Sequence, residues 1–150
     1  MKNIFDQVVV ATLENRINEL KSTTKPNWGK MEVAQMLAHC NVTYELVYED
    51  NHPKVTGFKK WLLKTFVKKV VVNEKPFSKN GRTAPMFMIT VDKDFLSEKT
   101  RLLAYLNKTQ KLGRNHFEGK ESNSFGVLNQ MEWNNMFYKH LDHHLTQFGV

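Results

Sequence analysis

The chain has 150 residues, of which 41% are hydrophobic, and it carries a formal net charge of +7. This length and composition predict a single folded domain over residues 1–150 and argue against wholesale disorder. One cysteine, Cys40, excludes an intrachain disulfide framework, and no apolar run is long enough for a membrane span or a secretion signal, which favours a cytoplasmic protein.

Four long stretches with hydrophobic residues at helical spacing dominate the sequence, and the alternation typical of strands is nearly absent. The first covers about residues 3–21 and is interrupted near Pro26, and the second covers about residues 31–50 and stops before Pro53. Each stretch predicts a helix. In the second helix, His39 borders the apolar side, where it is either an ordinary core histidine or a metal ligand offered to a facing helix.

A segment of about 40 residues separates the second and third helical patterns and holds the positive charge. Nine lysine or arginine residues and one glutamate lie between residues 54 and 85, so this segment carries +8 and the remainder of the chain −1. Its first part, GFKKWLLKTFVKKVVV, predicts a short amphipathic helix whose apolar arc covers the other helices. Its second part, PFSKNGRTAP, predicts an irregular loop. The apolar arc comprises Leu62, Leu63, Phe66, Val67 and Val70.

The third helical pattern begins near Asp92 or Asp94, either of which can cap it, and ends around Gly113. The fourth begins at Asn129, and Glu132 three residues later completes a capping box. It continues almost to the last residue of the sequence. Four main helices of about 18–20 residues predict an all-α fold, a four-helix bundle with a long, partly helical insertion between helices 2 and 3.

Half of the six histidines lie in the fourth helix, in the stretch YKHLDHHLTQFG. His140 and His144 share the face of the aromatic residues that should contact the core, and His143 and Gln147 lie on the shoulder of that face. An i, i+4 pair of neutral imidazoles can bind one divalent metal ion. The spacing alone does not distinguish this from two structural histidines. The opposite side of the helix is expected to face solvent and carries Lys139 and Asp142.

Several stretches together resemble a known superfamily. WGKMEVAQMLAHC (residues 28–40), EWNNMFYKHLDHHLTQFG (residues 132–149), KPFSKNGRTAP and the FG that begins at Phe125 are similar to the DinB/YfiT-like superfamily of small metalloenzymes. More narrowly, they resemble a branch of it that is a domain of unknown function, and the resemblance covers nearly the whole chain. Two positions depart from that branch: Glu32, where Ser or Thr is frequent, and the SNS before Phe125, where His-Pro is expected.

The resemblance implies a DinB-like four-helix bundle that forms a homodimer. It also implies a metal site with one histidine from the second helix and an HxxxH pair from the last. Carried onto this chain, the ligands are His39, His140 and His144. Zinc and nickel are the metals that it implies. Some related groups transfer a low-molecular-weight thiol, as co-substrate, to an electrophile, and others are regarded as hydrolases.

Three neutral histidines that leave one coordination position open are typical of a catalytic metal rather than a structural one. Such a metal would activate water for hydrolysis or hold a thiolate for attack on a small-molecule substrate. No acidic residue lies close enough to the predicted ligands to act as a base, which slightly favours thiol transfer. No catalytic side chain is assigned. His143 and Gln147 either orient the ligands from behind or form a helix or dimer contact.

Two other functions stay open from the sequence. One is a binding or stress-response module of the same fold without turnover. The other is a basic protein that associates with a membrane surface or nucleic acid through GFKKWLLKTFVKKVVV, whose lysines and Trp61 permit such contacts. The membrane surface is disfavoured because the apolar arc is needed inside the protein. Nucleic acid is disfavoured further because arginine is scarce in this stretch and no binding motif occurs.

Overall fold

The structure is a computed structural model that describes all 150 residues, and 59% of the chain is helical. In chain order the helical elements are α1 (Gln7–Glu19), α2 (Val33–Tyr48), α3 (Gly57–Leu62), a π-helical turn (Leu63–Val67), α4 (Lys68–Val72), a 3-10 turn (Pro85–Phe87), α5 (Phe95–Phe117) and α6 (Gln130–Gln147). Two antiparallel strands of two residues each follow α5, β1 (Glu121–Ser122) and β2 (Gly126–Val127). The prediction of a mostly helical protein is confirmed. No helix is long and apolar enough to cross a bilayer.

Side-chain caps fix where the last two helices begin. At α5, Asp94 Oδ1 accepts a hydrogen bond from the backbone N–H of Ser97 at 2.7 Å. At α6 the predicted capping box is present, since Asn129 Oδ1 accepts from the Glu132 N–H at 2.9 Å and Glu132 Oε2 accepts from the Asn129 N–H at 3.1 Å. These bonds satisfy amides that have no partner within the helix.

The third predicted helix is the first part of α5, and its predicted end near Gly113 is confirmed, because Gly113 has non-helical dihedrals (φ 71°, ψ 169°) that interrupt the helix. A short second helical stretch follows and continues to Phe117. Glycine adopts a positive φ at little cost, so the chain bends at this position. Beyond the bend, Phe117 is fully buried and packs on Phe5, Trp133 and Phe137.

One hydrophobic core lies between the four long helices, in which α6 contacts α1, α2 and α5, and α5 contacts α1 and α2. Aromatic rings form its centre: Phe137 stacks on Tyr44 with centroids 5.1 Å apart and on Trp133 at 5.4 Å. Truncating a buried ring of this size to alanine typically costs about 3–5 kcal/mol. This packing fixes α6 against α2, and these two helices carry the three histidines predicted to bind metal.

Residues 57–72, which we call the basic helical segment, consist of α3, the π-helical turn and α4. A helix is confirmed here, but the prediction that its apolar arc covers the other helices is wrong. Of the five predicted arc residues, only Leu63 is partly buried, and the other four are exposed. Polar contacts at the end of the segment hold it instead, because Asn135 of α6 donates to the carbonyl of Val72 at 2.9 Å.

Lys139 makes three more of these polar contacts, and the prediction that it points to solvent is wrong. It is only 3% exposed, and its Nζ donates to the backbone carbonyls of Val70 and Asn73, both at 2.7 Å, and to the Asn73 side chain at 3.0 Å. The last carbonyls of a helix have no partner within it and favour a nearby cation. Burial lowers the pKa of Lys139 to about 8.

Lys139→Met is expected to lower the free energy of unfolding by about 2–4 kcal/mol, because three partly buried acceptors lose a charged donor while methionine keeps most of the apolar stem. Urea denaturation followed by circular dichroism measures the change. Lys111→Met is the control, since Lys111 is exposed, and its effect should stay within about 0.5 kcal/mol. A loss at Lys139 no larger than that of the control would contradict the capping role.

Candidate metal centre

Three imidazole rings from two helices meet between α2 and α6. His39 comes from the middle of α2, and His140 and His144 lie one turn apart on α6. The centroid of the His39 ring is 4.9 Å from that of His140 and 4.5 Å from that of His144, and the two α6 rings are 4.8 Å apart. One nitrogen of each ring lies within 4.8 Å of the others. This histidine cluster could therefore hold a divalent metal ion.

Hydrogen bonds to carbonyl oxygens fix the tautomers of two rings. His39 Nδ1 lies 2.8 Å from the backbone oxygen of Phe87, and His144 Nδ1 lies 2.8 Å from Oε1 of Gln147. The Gln147 amide is oriented by its own Nε2, which donates to the carbonyl of Trp28 at 2.7 Å. A carbonyl oxygen only accepts, so each Nδ1 carries the proton and each Nε2 keeps a lone pair. This is the arrangement of metal-binding histidines.

His140 is the ring whose tautomer can change. Its Nδ1 lies 3.0 Å from the Thr43 hydroxyl, and its Nε2 lies 2.9 Å from Nε2 of His39. The bond between the two rings requires that His140 Nε2 carry the proton, because the His39 nitrogen is unprotonated. A hydroxyl can also accept, so the alternative tautomer, with Nδ1–H donating to Thr43, frees all three Nε2 lone pairs. Thr43 thus suits both tautomers of His140.

Burial keeps the three rings neutral. It lowers the pKa of His144 to about 3, that of His140 well below the ordinary value and that of His39 to a smaller extent. Repulsion between neighbouring rings acts in the same direction, because a charge on one ring disfavours a charge on the next. Neutral imidazole is the form that binds metals. At pH 7 a metal ion can therefore bind here without first removing the extra proton of a charged imidazolium.

A cavity of about 780 Å³ is lined by the histidine cluster, within the range of roughly 300–1,000 Å³ typical of small-molecule sites. Its apolar wall includes Val47, Phe77, Phe87, Phe125 and Met136. The charged lining residues are Lys30 and Arg82, and neither aspartate nor glutamate lines it. The cavity therefore combines neutral nitrogen donors with a positive lining, and it contains no carboxylate base.

Of two hydrogen-bond partners of the cluster, one can be predicted from the sequence and the other cannot. Thr43 follows His39 by four residues on α2, so helical spacing alone places both on one face. The Phe87 carbonyl carries no sequence signal, because every residue has a carbonyl and Phe87 follows the predicted irregular loop. Its 3-10 turn, which begins at Pro85, directs that oxygen at His39.

Gln147 and His143, the candidates for orienting the ligands, occupy different places. Gln147 is buried and bonds directly to His144. His143 lines the cavity, where its ring meets Trp28 and Phe77 edge-on at 5.8 Å each. Of these two candidates, only Gln147 holds a ring of the cluster by a hydrogen bond.

Gln147→Leu is expected to weaken metal binding about 10–100-fold, because His144 loses the acceptor that fixes its tautomer and ring plane. Competition with a chromogenic chelator gives the dissociation constant. Gln130→Leu, at the first turn of the same helix, is the matched control and should leave that constant unchanged. Equal affinities in the two variants would show that the hydrogen bond to His144 does not support metal binding.

A family model described as a protein of unknown function (DUF1569) matches residues 7–149. The match includes both helices of the histidine cluster and the loop that carries Phe87. No curated protein and no solved structure matches the chain.

Proposed function

The chain belongs to the DUF1569 family of unknown function, and we propose that it is a metal-dependent enzyme that acts on a small molecule in the cavity beside the histidine cluster. One observation carries the proposal: three neutral imidazoles from two helices share a small-molecule cavity. A structural zinc site is normally closed by four protein ligands, whereas three ligands at a cavity leave a position for substrate.

His39, His140 and His144 would hold the ion, with zinc or nickel as the metals that suit a nitrogen donor set. When bound, the metal would supply a Lewis acid that stabilises a thiolate or polarises a substrate. The other roles belong to the residues of the protein. The Phe87 carbonyl and Gln147 hold two rings in the ligating tautomer, and apolar side chains form part of the cavity wall beside them.

Thiol transfer is favoured over hydrolysis by the groups that line the cavity. Hydrolysis normally needs a base within reach of the attacking water, and no carboxylate lines this cavity. Lys30 and Arg82 would instead attract an anionic thiol and favour its thiolate form. The sulfur would form a bond to the carbon of an electrophile while a leaving group departs with the bonding pair.

We further propose that the four long helices form the four-helix bundle of the DinB/YfiT-like superfamily, with the basic helical segment inside its insertion. The support is the origin of the cluster, which takes one histidine from the second long helix and two from the last. We also propose that the chain forms a homodimer, as the same resemblance implies.

The test supplies tag-free, zinc- or nickel-loaded protein with cysteine or glutathione and 1-chloro-2,4-dinitrobenzene, and follows formation of the thioether and release of chloride. Turnover that is lost in His39→Ala supports the proposal. Hydrolysis of p-nitrophenyl esters without use of thiol would favour a hydrolase instead. Retention of metal with neither activity would favour the alternative of a binding module without turnover.

A further inference from the structure

The basic helical segment carries an aromatic cluster that no other part of the protein covers. Phe58 is 72% exposed, Trp61 54% and Phe66 64%. Phe58 stacks on Trp61 with centroids 5.5 Å apart, and Phe66 meets Trp61 edge-on at 6.3 Å. Scattered exposed apolar residues are common, but a contiguous patch marks an interaction site. Leu62 is also exposed and extends the apolar face along the segment.

The lysines of this segment fall into two groups. Lys60 and Lys68 are partly buried and pair with carboxylates of the body, Glu121 at 2.7 Å and Glu132 at 2.8 Å. The second group is exposed and forms no salt bridge; it comprises Lys59, Lys64 and Lys69. The lysines that pair with body carboxylates are thus neutralised, and the three exposed lysines of the same segment are not.

We propose that this face binds the surface of a membrane that contains anionic lipids, with the basic helical segment lying in the plane of the interface. Helices that bind in this way combine lysines with Trp, Phe and Leu, so that the rings enter the headgroup region while the ammonium groups contact lipid phosphates and carboxylates. Tryptophan in particular favours this depth. The sequence argued against membrane binding because the apolar arc was expected to be needed inside the protein. Four of the five arc residues are exposed, so this objection does not hold.

A second copy of the chain fits this face less well. In a two-fold dimer the same patch would meet itself, and Lys59, Lys64 and Lys69 would then approach the same three lysines of the partner. Glu74, the one acidic residue between positions 54 and 85, lies outside the segment, so the segment itself has no carboxylate to offset that repulsion. An anionic bilayer has the complementary charge.

Membrane binding would also position the cavity. Val67, Val70 and Val71 belong to the basic helical segment and line the cavity that holds the histidine cluster. Docking through this segment therefore places that cavity beside the bilayer.

Flotation of the full chain with vesicles of phosphatidylcholine containing about 30% phosphatidylserine tests the proposal, with pure phosphatidylcholine vesicles for comparison. The protein should float with the anionic vesicles, and its partition coefficient should fall at least about tenfold on neutral ones. Higher ionic strength should weaken binding, because the lysines are exposed to screening. Equal partition into both vesicles would overturn the proposal.

Two sets of variants locate the contact. The charge-reversal variant Lys59→Glu/Lys64→Glu/Lys69→Glu should lose at least about tenfold in partition, and Phe58→Ser/Trp61→Ser/Phe66→Ser should lose as much or more. The matched control reverses three exposed lysines elsewhere, with the same change in net charge: Lys21→Glu, Lys25→Glu and Lys111→Glu.

The control should retain wild-type partition within about a factor of two, and circular dichroism verifies that all variants are folded. A control that loses as much as the charge-reversal variant would reduce the effect to net charge and overturn the assignment of this face. A wild-type dimer that ignores vesicles but dissociates in the aromatic variant, by analytical ultracentrifugation, would instead make the face an interface between copies.

Discussion

Replacing His140 with alanine is expected to remove tight metal binding, from about one equivalent per chain in tag-free protein to background. His140 Nε2 lies 2.9 Å from His39 Nε2, so its ring brings a donor from α6 next to the donor from α2. Removing one of three donors should weaken metal binding by more than the factor of about 10–100 that is expected when an outer hydrogen-bond partner is lost. Elemental analysis after dialysis against zinc or nickel, with the excess removed, measures the stoichiometry.

His116→Ala is the control for this experiment, because His116 is exposed and far from the cluster in the sequence. It should retain the metal content of the parent protein. If parent and His140→Ala are both free of metal, the bond between His39 and His140 is only a packing interaction, and the proposed enzyme loses its chemical centre. If His116→Ala loses metal as well, the ion was bound at the surface.

The histidine cluster can be predicted from the sequence because it depends on two regular features. Helical spacing places His140 and His144 on one face, and a facing helix is the natural source of a third donor. His39 taken alone, however, is more consistent with a core histidine. The resemblance named it as a ligand, and the structure shows its ring within 4.5 Å of the His144 ring, centroid to centroid.

Lys139 shows why a helical pattern does not fix burial. The pattern correctly places it away from the core face of α6, but it cannot show that the insertion packs on that side. The same packing explains why most of the apolar arc of the basic helical segment is exposed: polar contacts at Val72 and Asn73 hold the end of the segment, so its attachment does not require burial of that arc. Contacts of this kind depend on where a long connection returns, which local periodicity does not encode.

The sequence does not predict the ionic network between α2 and α5 for a related reason; in it Glu45 and Glu98 are buried and Arg101 is partly exposed. Glu98 accepts hydrogen bonds from Arg101 at 2.9 Å and from Asn41 at 2.8 Å, and Arg101 also pairs with Glu45. Charged residues in a helical pattern are ordinarily assigned to solvent. Their burial here follows from the relative register of two helices, and the sequence of each helix alone does not contain that register.

The stability of the metal-free protein is expected to fall as the pH drops from about 6.5 to 5, because of the histidine cluster. Burial lowers the pKa of His39, His140 and His144 in the folded protein, while in the unfolded chain each returns to about 6.5. Over this range the unfolded chain binds more protons than the folded one, so acidification favours unfolding. Above pH 7 the rings are neutral in both states and contribute no slope.

The expected change in the free energy of unfolding is large for so few residues. His144, whose pKa is about 3 in the folded protein, stays neutral at pH 5 and costs about 2 kcal/mol relative to an unfolded chain with a pKa of 6.5. His39 and His140 act in the same direction, because burial lowers their pKa as well. Many domains have a total stability of only about 5–15 kcal/mol. Urea denaturation at pH 7, 6 and 5 after removal of metal with a chelator measures it. His144→Leu should reduce the slope by about one proton, because leucine does not titrate. A parent protein equally stable at pH 7 and 5 would mean that the buried rings accept protons freely, and an unchanged slope in His144→Leu would assign the acid sensitivity to groups outside the cluster.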